Sequence, residues 1–150
     1  MLRQVDTWIS SGRLSSEAGV ELERWLSESK FGEFQPEIAS LIDLKDLQEL
    51  EDAFRKRIEF GTGGIRGKMG PGPNRINLRT VGEAAQGLAQ YVINTLGKDG
   101  AERGIVIACD TRNNSERFAR ETASIFSANG IQSLLFDGFR STPELSFAVR

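Results

Sequence analysis

The sequence contains no histidine. That excludes histidine general acid–base chemistry, Ser-His-Asp triads and histidine metal sites from these residues. It contains a single cysteine, Cys109, so no internal disulfide can form and a reducing compartment is expected. Cys109 closes an apolar run, which predicts a buried strand-end thiol and not a nucleophile. No stretch approaches the roughly 18 apolar residues that span a bilayer. Met1-Leu2-Arg3-Gln4-Val5-Asp6 lacks the apolar core of a signal peptide. A cytoplasmic location without a membrane partner is therefore expected. Acid is also missing locally: none occurs between Glu59 and Glu83.

What is present is ordinary for a soluble globular chain. Hydrophobic residues make up 39% of the 150 positions and charged residues 27%, enough for a real core. The net charge of −2 gives no reason to expect a nucleic-acid partner. Its distribution is uneven. Residues 1–60 hold 8 basic and 13 acidic side chains, whereas residues 61–150 hold 11 and 8.

The basic excess begins at Phe60-Gly61-Thr62-Gly63-Gly64-Ile65-Arg66-Gly67-Lys68-Met69-Gly70-Pro71-Gly72-Pro73-Asn74-Arg75. Six glycines and two prolines exclude a regular helix or a central strand here. Glycine lets a ligand approach the backbone N–H groups, and arginine adds a forked donor that suits phosphate oxygens. Composition alone leaves two readings open: an anion-binding loop, or a glycine-rich surface loop with incidental arginines. Two named phosphate motifs are excluded. Lys68 is followed by Met69 where a Walker A loop needs Ser or Thr, and Arg66 stands where a dinucleotide fingerprint needs glycine.

Periodicity predicts helices over residues 2–10, after a Ser15 or Ser16 cap, and over about 37–58, broken or bent, with a break at Phe31–Pro36. The charged face of the third region, including Glu49 and Asp52, reads as solvated, and the whole lead-in as packing material. Thr80 and Glu83 predict a capping box, with Val81, Ala85, Leu88, Val92 and Leu96 following as an apolar stripe. Gly82 and Gly87 are expected to pack closely on a sheet. Ile105–Cys109 predicts a strand covered on both faces. A helix over 115–129, a strand over 133–136 and a helix capped by Thr142 with Pro143 at its first position complete the pattern. The order predicts a three-layer α/β/α fold with a mixed, mostly parallel sheet. Ligands of such folds sit beyond the carboxyl ends of the strands. Asp110-Thr111-Arg112-Asn113-Asn114 lies there, with the asparagines expected to cap and the role of Arg112 left open.

Phe60–Gly67 resembles the opening signature of the α-D-phosphohexomutases, the phosphoglucomutase/phosphomannomutase family. Thr80–Ala89 resembles the helix after that signature. Ile105–Arg112 resembles the family's strand ending in Asp-x-Arg. Ser127–Ile131 and Ser141–Phe147 resemble the run before its catalytic loop. The four pieces stand in the family's order across residues 60–150, and the helical lead-in of residues 1–59 is similar to that of the longer bacterial phosphoglucomutases.

The resemblance implies transfer of a phosphoryl group between the 1- and 6-hydroxyls of a sugar through a phosphoserine. It implies a helical extension over 1–59 and a first α/β/α domain from residue 60, incomplete before the serine loop. Thr62 and Arg66 are implied to line the active site, with Arg66 as electrostatic stabiliser. Gly61, Gly63, Gly64, Gly67 and Arg112 are implied to contact substrate phosphate. Gly63 stands where many relatives carry serine, so no hydroxyl role carries over. Lys68 and Arg75 are expected to be surface or structural residues. The implied cofactors are a magnesium ion on a three-aspartate loop outside this sequence and a sugar bisphosphate activator. The implied partners are a sugar phosphate and the remaining domains of the same polypeptide. A non-catalytic phosphosugar-binding module and a truncated gene product are the alternatives.

Overall fold

In a computed structural model describing residues 1–150, the chain folds as two compact units, Met1–Asn77 and Leu78–Arg150. The motif-based division falls after residue 59, whereas packing keeps residues 60–77 with the helical lead-in.

The first unit is built from α1 (Leu2–Ser10), α2 (Ser16–Ser27), a 3-10 helix (Ser29–Phe34), α3 (Gln35–Asp43) and α4 (Leu47–Phe54). The Ser15 hydroxyl caps α2 by accepting the Ala18 N–H, and the Asp46 carboxylate caps α4 from Glu49 N–H. Gly19 lets α1 approach α2, since a Cβ there would stand 2.2 Å from Ile9 Cδ1. The expected break at Phe31–Pro36 is instead a 3-10 turn running into α3, because Phe31 is needed inside. Its ring stacks on Trp25 at 4.3 Å, and Phe54 meets Trp25 edge-on at 5.7 Å. Val5, Leu22, Ile38, Ile42 and Leu50 fill the remaining core. The region expected over 37–58 is broken at Lys45, which has φ 55°, and ends at Phe54.

In the second unit α5 (Leu78–Arg103) is bent at Gly97, whose φ 59° and ψ −143° interrupt it. The parallel strands β3 (Ile105–Cys109) and β4 (Ser133–Phe139) are joined by α6 (Ser115–Ala128), and α7 (Thr142–Ala148) follows. The α/β class read from the sequence holds. Several details differ. Helix α5 begins two residues before Thr80, which is buried in its first turn, so Thr80 is not the N-cap of a capping box. The inward stripe of α5 is Gly82, Ala85 and Ala89, while Leu88 and Leu96 face outward. Gly82 packs against a helix and not a sheet: a Cβ there would lie 3.2 Å from Ile125 Cδ1 of α6, whereas one on Gly87 would meet nothing within 4 Å. Strand β3 buries Ile107 and Cys109 and leaves Val106 and Ala108 half-buried. Ser141, not Thr142, caps α7, in a reciprocal capping box with Glu144. No helix is long and apolar enough to cross a membrane.

Candidate functional site

The glycine-rich signature is a tight hairpin. Strand β1 (Phe60–Gly61) pairs antiparallel with β2 (Gly64–Ile65), Phe60 opposite Ile65 and Gly61 opposite Gly64. Thr62 and Gly63 form the turn. Gly64 follows at φ +99°, a backbone conformation that residues with a Cβ adopt only at a cost. Gly61, Thr62, Gly63, Arg66 and Gly67 are exposed, and Gly64 is half-buried. The Arg66 guanidinium folds back over the turn, with Nη2 at 3.0 Å from the place a Gly63 Cβ would take. None of the ion pairs of this unit includes Arg66. Its forked donors are therefore open to an anion.

Glycine density through residue 75 suggests a uniformly loose loop, but the second half is anchored. Arg75 is 2% exposed. Its Nε donates to Glu49 Oε1 at 2.8 Å, and Nη2 reaches both Glu49 and Asp52, the latter at 2.7 Å. Lys68 Nζ adds a contact to Glu49 at 3.1 Å. Burial alone would raise the Glu49 carboxyl, yet the hydrogen bonds from Arg75 and Lys68 outweigh it and hold the group below the usual carboxylate range. Asn77 Nδ2 donates to the carbonyls of Gly70 and Gly72. Gly72, at φ +113°, presses against α4: a Cβ there would stand 2.6 Å from the Ala53 carbonyl oxygen. Glu49 and Asp52 thus hold a buried cation and are not merely a solvated face. Helical periodicity could not show this, because Arg75 lies 26 and 23 residues away. The one usable signal was an acid-free stretch, in which a buried arginine could find carboxylates only elsewhere in the chain.

Arg112 belongs to the second unit, in the turn after β3. The Asp110 carboxylate accepts the Arg112 backbone N–H at 3.1 Å and its Nε–H at 2.7 Å. Chiefly through that backbone bond, the Asp110 carboxyl lies below its ordinary value. Arg112 is 84% exposed and borders an open depression of about 440 Å³ with Ser115, Arg117 and Arg120. Asn114 does not cap α6 with its side chain; it serves by taking left-handed backbone, φ 61°, which asparagine tolerates. Cys109 is buried at the strand end, as its apolar run implied.

Residues 57–150 match the family model described as phosphoglucomutase/phosphomannomutase, alpha/beta/alpha domain I. The chain belongs to the phosphoglucomutase/phosphomannomutase family. A phosphoglucomutase of Staphylococcus saprophyticus is 44% identical over 103 residues, 69% of this chain and 18% of that protein. A probable phosphoribomutase of Schizosaccharomyces pombe is 36% identical over 129 residues, 86% of this chain and 22% of that protein. A human phosphopentomutase is also 36% identical, over 135 residues, again 86% and 22%. The chain thus spans about a fifth of the length of these relatives. No solved structure matches it. Membership of domain I accounts for the α/β/α class, and the signature hairpin lies inside the matched residues.

Proposed function

We propose that this chain is the opening part of a phosphosugar mutase, in which the hairpin presents Thr62 and Arg66 to a transferring phosphoryl group. The observation that carries the reading is Arg66: an exposed guanidinium on a glycine turn, without a carboxylate partner, inside a family-matched segment.

Phosphoryl transfer has a loose transition state whose charge spreads over three equatorial oxygens, so catalysis rests on positioning and charge neutralisation. The Arg66 fork can donate two parallel N–H bonds to two of those oxygens. The Thr62 hydroxyl can donate to a third, and the glycines allow the backbone to approach. Within the second unit, Arg112, oriented by Asp110, is itself a cationic group suited to a phosphate. In the reaction a phosphoserine P–O bond breaks as a sugar hydroxyl forms its own bond to phosphorus and gives up its proton. The freed serine oxygen takes up a proton. In the second transfer it loses that proton and accepts the other phosphoryl group of the sugar bisphosphate, whose released oxygen is protonated. The phosphoserine is thus regenerated and the phosphate has moved.

The residues present do not fit a magnesium ion, since no three carboxylate or cysteine side chains converge. The reading therefore places the ion, the phosphoserine and sugar selection (glucose, mannose or pentose) on the remaining domains of the same polypeptide. A reducing, cytoplasmic setting suits the lone, buried Cys109.

The test is an assay of the polypeptide that joins this chain to its remaining domains, with magnesium and a sugar bisphosphate. Interconversion of sugar 1-phosphate with the terminal phosphate ester is expected. Binding of sugar phosphate without any turnover would replace the mutase reading with that of a non-catalytic module.

A further inference from the structure

Both ends of the hairpin rest on one short strip, Pro73–Ile76. On the entry side, Ile58 N–H donates to the Pro73 carbonyl at 2.9 Å. On the exit side, Ile76 N–H donates to the Lys68 carbonyl at 2.8 Å. Gly67 packs between the two: a Cβ there would lie 2.9 Å from Ile58 Cδ1 and 3.9 Å from Ile76 Cγ1. The strip in turn docks on the last turn of α4. Asn74 donates through its backbone N–H to the Ala53 carbonyl and through Nδ2 to the Asp52 carbonyl, at 3.0 and 2.7 Å. Those carbonyls belong to the last turn of α4, where a helix has no intrahelical donors left. Arg75 sits at the centre of the strip, a buried cation lying along α4, fixed by Glu49 in its first turn and by Asp52 further along.

We infer that Arg75 is a positioning residue: through Glu49 and Asp52 it fixes the strip on which both ends of the hairpin stand, and so sets where Arg66 presents its guanidinium. The inference rests on the reading of Arg66 as a phosphoryl contact. It also gives the helical lead-in a role, because α4 becomes the base of the site. Arg75 is 2% exposed, so its positioning role is exerted through the strip and not by contact with substrate. A lysine in its place keeps the charge but cannot bond Glu49 and Asp52 at once with a planar fork.

Two measurements test it. The first is amide hydrogen exchange of the 1–150 chain as Arg75→Lys and as Glu49→Gln, both milder than truncating a buried charge. Exchange at the hydrogen-bonded amides of Ile58, Asn74 and Ile76, and at the protected amides of the paired strands Phe60–Gly61 and Gly64–Ile65, should rise about tenfold or more, with the interior amides of α2 unchanged within about twofold. No rise at the hairpin, or an equal rise in α2, overturns the inference, the second outcome because Arg75 would then simply hold the whole unit together. The second is turnover, per folded molecule, in the polypeptide with its remaining domains. If Arg75 acts only through Arg66, the double variant Arg66→Ala/Arg75→Lys turns over as slowly as Arg66→Ala alone. A further independent loss in the double variant overturns the inference. Near-normal turnover of Arg66→Ala defeats the phosphoryl reading instead, while the exchange result still decides whether Arg75 governs the hairpin.

Discussion

Adding one methyl group at Gly72 or at Gly64 separates packing from backbone strain. Both glycines have positive φ, +113° and +99°. An alanine at either carries the cost of that conformation, about 1–2 kcal/mol. Their surroundings differ. The new Cβ at Gly72 would stand 2.6 Å from the Ala53 oxygen and 3.1 Å from its carbonyl carbon, whereas that at Gly64 meets nothing within 4 Å. The Ala53 carbonyl is part of α4 and cannot turn aside like a side chain, so a further overpacking cost of about 1–3 kcal/mol applies at Gly72 alone. The expected losses are about 2–5 kcal/mol for Gly72→Ala and no more than about 1–2 kcal/mol for Gly64→Ala. Trp8 and Trp25 are both buried in the first unit, so tryptophan fluorescence in a urea titration reads that unit. A Gly72→Ala midpoint within about 0.5 kcal/mol of the unaltered chain, or equal shifts for the two variants, would refute the docking of residues 70–75 on α4.

Three further outcomes are expected. The folded-state pKa of Glu49 is depressed, so its contribution is fully present above the ordinary glutamate value of 4.5 and is lost as pH falls through the lower folded value. Urea midpoints of the first unit should fall with acidification below that pH, less steeply for Glu49→Gln; parallel curves would remove Glu49 from the account. Gly87 is an exposed glycine within α5 with open space around it, so Gly87→Ala should stabilise the second unit by about 0.5–1 kcal/mol. A lower melting temperature by circular dichroism would contradict that. The 1–150 chain alone, given sugar 1-phosphate, magnesium and a bisphosphate, should show no mutase turnover. Turnover above background would show that its own residues suffice for the chemistry.

The sequence was most legible where structure is local. Helix α1, the Ser15 cap and the Ile105–Cys109 strand follow from periodicity and short-range hydrogen bonding. The hairpin does not: glycine density over residues 60–75 reads as a loop, and the pairing of Phe60–Gly61 with Gly64–Ile65 appears only in the structure. Legibility failed where a distant partner decides. Thr80-Val81-Gly82-Glu83 satisfies the capping pattern, yet Asn77 binding the Gly70 and Gly72 carbonyls fixes the chain just before Leu78, and the helix starts there. Leu88 fits an apolar stripe on paper, but the small residues Gly82, Ala85 and Ala89 allow the close approach to α6 and take the inner face. Glu49 and Asp52 read as solvated because their partner lies beyond the helix window. The composition of residues 60–75, glycine plus arginine without acid, is plain in the sequence. Which arginine is buried and which is exposed depended on tertiary contacts.

The most direct test of the central claim compares Arg66→Ala and Arg66→Lys in the polypeptide with its remaining domains, measuring turnover and unfolding midpoint together. Arg66 is exposed and outside every ion pair of its unit, so its loss should move stability by only about 0.5 kcal/mol. Facing a phosphoryl group, it should cost on the order of 10²-fold or more in rate as alanine, with lysine rescuing in part because it offers a point charge without the fork. Near-normal turnover of Arg66→Ala, or a large loss of stability with turnover falling only in proportion to folded protein, would contradict the claim and make Arg66 a structural residue.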